Sequence, residues 1–124
     1  MFRCHVFFDS EEPGNIRTVE HAEEYLASEL VDYVIGAVDS HVRDLNFFEN
    51  NRFCVTMTYF AKADLYFEAE LVVELIKQDD KKAYKCQFWE TGGTMEEKIV
   101  YDEEACGDYL YFSVKRWSVL VKNK

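Results

Sequence analysis

Between residues 53 and 76 every second side chain is apolar, and that period of two constrains the fold more than any other feature of the chain. Phe53, Val55, Met57 and Tyr59 alternate with Cys54, Thr56 and Thr58; Leu65, Phe67, Ala69, Leu71, Val73 and Leu75 then alternate with Tyr66, Glu68, Glu70, Val72, Glu74 and Ile76. Successive residues of a strand point to opposite faces, so the pattern predicts two amphipathic strands, joined by a short connection over Ala61 to Asp64. One face is buried and the other carries the row Glu68, Glu70 and Glu74 to solvent.

The same period continues through a polar turn at Gln78 to Lys82 and a strand with Tyr84, Cys86 and Phe88 inward, which ends at Thr91-Gly92-Gly93. A weaker strand is predicted from Lys98 to Tyr101, an acidic loop from Asp102 to Asp108 and a last strand from Tyr109 to Val121. The apolar phase of that last segment shifts between Val114 and Trp117, which predicts a β-bulge near Lys115 and Arg116. Upstream, Phe2 to Phe8 reads as a strand followed by turn-forming residues from Asp9 to Asn15.

From Thr18 to Leu45 the period changes to that of a helix. Val19, Ala22, Leu26, Leu30, Tyr33, Val34, Ala37 and Leu45 share one face; Glu24, Ser28, Asp32, Asp39 and Arg43 lie opposite. Thr18 is placed as N-cap, and Glu20, Glu23 and Glu24 complement the positive end of the helix dipole. Such a helix is about 40 Å long, with Gly36 as a candidate point of bending.

These elements predict a single α+β domain over residues 1–124, one long helix packed on a curved antiparallel β-meander. The order of elements resembles the cystatin-like fold, in which a meander wraps one helix. The glutamine-valine-glycine hairpin signature of the cystatin inhibitors is absent, so the resemblance implies a fold and no activity.

Charge narrows the function. Acidic residues outnumber basic ones 24 to 14, for a net charge of −10. That balance disfavours direct binding to nucleic acid and to anionic membranes, and favours basic partners. No apolar run is long enough for a membrane span, and a cytoplasmic location is expected. The acids cluster: residues 9–32 hold eight acids and one base, 64–80 six and one, 96–108 six and one, whereas the tail from Lys115 is basic.

Motifs that dictate chemistry are missing. Cys4, Cys54, Cys86 and Cys106 show neither a Cys-x-x-Cys pair nor zinc spacing and read as reduced thiols, with Cys54 and Cys86 packed in strands. Cys4 and His5 point to opposite faces of one strand, and His21 and His41 are remote from any cysteine. Glu68 and Glu70 sit close enough to perturb one another, but an open sheet face lacks the apolar pocket that acid–base catalysis requires. Gly92-Gly93 lacks the helix and the Lys-Ser or Lys-Thr of a phosphate loop and reads as a turn. No catalytic residue, cofactor site or metal site is assigned.

The expected function is therefore that of a non-enzymatic binding or inhibitor protein. Its candidate partner-binding residues are Tyr66, Glu68, Glu70, Glu74, Trp89, Glu96, Glu97, Asp102, Glu103 and Glu104, facing a basic, nucleic-acid-binding surface of another protein. Small size, acidity and exposed aromatics resemble the phage-encoded anti-CRISPR and anti-restriction inhibitors. That resemblance implies a nuclease complex as target, in the host cytoplasm, and an acidic row acting as a DNA mimic; the basic tail departs from pure mimicry. The alternatives are a solvated sheet face on a structural module or homodimer, and a small enzyme with a reactive cysteine.

Overall fold

The structure is a computed structural model that describes residues 2–8, 19–20, 23–47, 51–62 and 64–123. In chain order its elements are β1 (Phe2–Phe8), β2 (Val19–Glu20), α1 (Glu23–Arg43), β3 (Arg52–Lys62), β4 (Leu65–Gln78), β5 (Lys81–Glu90), β6 (Glu96–Val100) and α2 (Glu103–Lys122). The strands form one six-stranded sheet in the order β2-β1-β3-β4-β5-β6. All neighbours in it are antiparallel. The α+β class and the meander from β3 to β6 agree with the sequence pattern. The turn at 9–15, the proposed cap Thr18, and His21 and Ala22 lie outside the described residues.

The period-two alternation does what it predicts. Phe53, Val55, Met57 and Tyr59 of β3, Ala69, Leu71, Val73 and Leu75 of β4, and Tyr84, Cys86 and Phe88 of β5 are buried on one face. Leu65 departs from it: at the start of β4 it is 44 % exposed. At the β4–β5 turn Asp79 and Asp80 have φ of 53° and 64°. Two consecutive left-handed residues make the turn whose twist matches that of the flanking strands, and aspartate tolerates the conformation better than most residues.

The C-terminal segment corrects the sequence reading. Residues 103–122 form helix α2, not an acidic loop and a bulged strand. Its buried residues are Cys106, Leu110, Ser113, Val114, Trp117, Ser118 and Val121, a helical stripe; the apparent phase shift near Lys115 and Arg116 is that stripe seen against a period of two. The β-branched and aromatic residues that favour a strand are overridden by burial on the sheet. Ser113 and Ser118 are tolerated inside because their hydroxyls donate to the Tyr109 and Lys115 carbonyls at 2.9 and 2.8 Å.

The N-terminal helix is shorter than its pattern suggested. Val19 and Glu20 pair with Cys4 and Arg3 as a two-residue strand, so α1 begins at Glu23. This pairing covers the edge of β1 at Arg3 and Cys4. At 21 residues α1 is about 31 Å long and runs unbroken through Gly36. Of the expected face, Val34 and Leu45 are buried and Tyr33 packs against the core, joined by Val31, Val38 and Val42, with Asp32, Asp39 and Arg43 exposed as expected. One helix does not cover the sheet alone: α1 faces both β1 and α2, while α2 lies on β4 and β5. The side chains of Glu20, Glu23, Glu24, Leu26, Ser28, Leu30 and Ala37 lie outside what the structure describes.

Candidate protein-binding surface

On the face of the sheet opposite the buried side chains of β3, β4 and β5, Cys54 and Ala83 are buried, whereas Tyr66, Glu68, Trp89, Glu97 and Ile99 are exposed. Antiparallel register fixes what stands beside each glutamate of β4, because directly opposed side chains have Cβ atoms only about 4.5–5.5 Å apart. Glu68 lies opposite Thr58; Glu70 lies between Thr56 and Trp89; Glu74 lies between Arg52 and Lys85. The row is therefore electrostatically uneven. Neutral residues flank Glu68 and Glu70, whereas Glu74 is bracketed by two cations.

The Glu68 end also carries the aromatics. Tyr66 is 53 % and Trp89 39 % exposed, and the Tyr66 ring packs against that of Phe60 with centroids 6.1 Å apart. Three hydrogen bonds tie this end to Thr91. The Glu68 amide donates to Thr91 Oγ1 at 3.0 Å, the Thr91 hydroxyl donates back to the Glu68 carbonyl at 3.2 Å, and the Thr91 amide donates to the same carbonyl at 2.9 Å. Tyr66, Glu68, Glu70 and Trp89 thus form one patch.

The remaining sequence candidates do not join it as a second acidic cluster. Glu96 and Glu97 are neighbours in β6 and point to opposite faces. Glu97, on the outer face, accepts from Gln87 Nε2 at 3.0 Å and lies 3.6 Å from Lys85 Nζ. The Gln87 hydrogen bond, with the Lys85 charge, holds its carboxyl below the ordinary range. Glu96 pairs with Arg116 Nη2 at 2.9 Å, and that bond raises the guanidinium pKa further. Asp102 is the N-cap of α2: its Oδ1 accepts from the Ala105 amide at 2.7 Å. Glu103 and Glu104 occupy the first turn, where their charge complements the helix dipole.

A groove missing from the sequence reading runs between β6 and α2. It encloses about 560 Å³ and is lined by Glu96, Lys98, Tyr109, Phe112, Ser113 and Arg116 among others. Phe112 is 66 % exposed, and the Lys98 ammonium lies 5.7 Å from the centre of the Tyr109 ring. Burial and the Glu96 charge push the Tyr109 phenol up. The spacing of Tyr109, Phe112 and Arg116 is that of one helix face; it becomes a signal only once the segment is read as a helix.

All four cysteines are free thiols and buried, Cys4 and Cys106 as well as the expected Cys54 and Cys86. Burial pushes Cys4 up to about 12. The Sγ atoms of Cys86 and Cys106 are 3.5 Å apart. His41 is half-buried with its ring 6.0 Å from that of Phe53, a packing position. Among the described residues no three His, Cys, Asp or Glu side chains converge as metal ligands, and no helix is long and apolar enough to cross a membrane. No family model, curated protein or solved structure matches this chain.

Proposed function

We propose that the protein binds a basic surface of another protein through Tyr66, Glu68, Glu70 and Trp89, and acts by occupying that surface, with no chemistry of its own. The observation that carries this reading is the register of β4 and β5, which sets the exposed Trp89 directly beside Glu70. A rigid aromatic next to carboxylates with no opposed cation combines an anchor for apolar contact with a charge that selects lysine- and arginine-rich partners. A nucleic-acid-binding protein fits such chemistry, and a nuclease complex of the kind blocked by anti-CRISPR or anti-restriction inhibitors is the proposed target, in the cytoplasm of a bacterial host. The cystatin-like order of elements is proposed for the strand, helix and meander alone, with α2 as an addition.

The test is binding to a panel of purified nucleic-acid-binding nucleases, measured across a salt series with competing DNA. A binder displaced by DNA, weakened roughly 30-fold by Trp89→Ala and by salt in proportion to charge, is the expected result. Glu68→Gln with Glu70→Gln should weaken binding and flatten its salt dependence, whereas Glu74→Gln should change little because Arg52 and Lys85 flank it. Binding indifferent to Trp89 and to both glutamates overturns the reading. Sedimentation at twice the monomer mass, abolished by Trp89→Ala, would replace it with the homodimer.

A further inference from the structure

We propose that Cys86 and Cys106 are a redox-active dithiol, which a low-molecular-weight disulfide oxidises to an internal disulfide that ties the first turn of α2 to β5. The inference is independent of the partner-binding reading. It starts from proximity: two fully buried thiols, 20 residues apart in sequence, lie with their sulfurs 3.5 Å from one another. A disulfide needs about 2.05 Å, so the gap to close is roughly 1.5 Å.

The two cysteines differ in a way that suits sequential exchange. Cys86 lies in mid-strand on β5, opposed by Val73 on one side and Lys98 on the other, and is held in place by both neighbours. The hydrogen bond between the two sulfurs, assisted by the Lys98 ammonium, holds its thiol below the ordinary value in spite of burial. Cys106 is pushed the other way, by the same hydrogen bond, by burial and by the charges of Glu103 and Asp102. It belongs to the first turn of α2, and helix ends open at lower cost than strands at the centre of a sheet. Local opening at the first turn of α2 gives an external disulfide access to the pair.

The chemistry balances without any further reagent. Cys86 as thiolate attacks one sulfur of the external disulfide; a mixed disulfide forms, the external S–S bond breaks, and one thiolate leaves and takes up a proton. Cys106 then loses its proton to solvent and attacks Cys86 Sγ, expelling the second thiolate. Two protein thiols are oxidised by two electrons and the external disulfide is reduced to two thiols. Cys4 is a poor competitor because burial holds its pKa near 12.

The experiment incubates the folded, reduced chain with excess oxidised glutathione at neutral pH. Unreacted thiols are then blocked under denaturing conditions and non-reduced peptides are mapped by mass spectrometry. The expected product has lost two hydrogens and two of its four thiols. It yields a Cys86–Cys106 cross-linked peptide and reverts with dithiothreitol. Cys54→Ser should oxidise in the same way, and Asp102→Ala, which loosens the first turn of α2, should oxidise about 5-fold faster. Four free thiols after equilibration, glutathione adducts without the cross-link, or any other pairing would overturn the proposal.

Discussion

Replacing Asp102 by alanine tests the largest difference between the sequence pattern and the fold. Asp102 has extended backbone angles, φ −135° and ψ 160°, and its carboxylate accepts the Ala105 amide at 2.7 Å while its carbonyl receives the Cys106 amide at 3.2 Å. Alanine removes the first of these bonds. Because the site is exposed, water replaces part of the lost bond, and the cost is about 1 kcal/mol. The negative charge at the helix N-terminus adds at most about 0.5 kcal/mol at low salt, since Glu103 and Glu104 remain. Asparagine keeps the acceptor and loses only the charge, so Asp102→Asn should fall within a few tenths of a kcal/mol of the parent. Urea titrations followed by circular dichroism should give unchanged m-values, a clear loss for alanine and little for asparagine. The alanine variant should melt roughly 3–6 °C lower. An alanine variant as stable as the parent, or an asparagine variant as damaged as the alanine one, would refute the cap and with it the helical start at Glu103.

Two glycines should respond in opposite directions. Gly36 lies exposed within α1 and an added Cβ meets nothing within 4 Å, so Gly36→Ala should stabilise by about 0.4–1 kcal/mol; Gly92 has φ of +81°, so Gly92→Ala should destabilise by about 1 kcal/mol or more, both read from urea titrations. Alkaline pH should destabilise the fold through Cys4, whose folded pKa of about 12 exceeds its ordinary 9.0. Its contribution is fully present below about 9 and is lost as pH rises towards 12, at up to about 1.4 kcal/mol per pH unit for one proton. Cys4→Ala should accordingly show a shallower decline in stability over that interval, and an equal slope in both proteins would refute the assignment.

The meander was legible because a period of two says directly which side chains are buried. Phe53 to Tyr59 and Ala69 to Leu75 needed no knowledge of their neighbours, and the Asp79-Asp80 turn is local chemistry as well. The C-terminal segment was harder to read because Tyr109, Tyr111, Phe112, Val114, Val119 and Val121 prefer strands. What overrides that preference is the apolar surface of β4 and β5, which accepts the helical stripe from Cys106 to Val121 and which no local signal announces. The cap residues were present in the sequence, but Asp102-Glu103-Glu104 reads equally as an acidic loop until a helix follows it.

The candidate site divides along the same line. Alternation alone determined that Glu68, Glu70 and Glu74 share a solvent face with Tyr66, since side-chain direction along a strand is a property of the backbone. Only pairing across β3, β4 and β5 decided that Glu74 faces Arg52 and Lys85 while Glu70 faces Trp89, because register depends on residues distant in the chain. Packing of α2 on the sheet set Glu96 beside Arg116 and brought Cys86 within 3.5 Å of Cys106. Direction is inherited from local geometry, whereas proximity is created by packing.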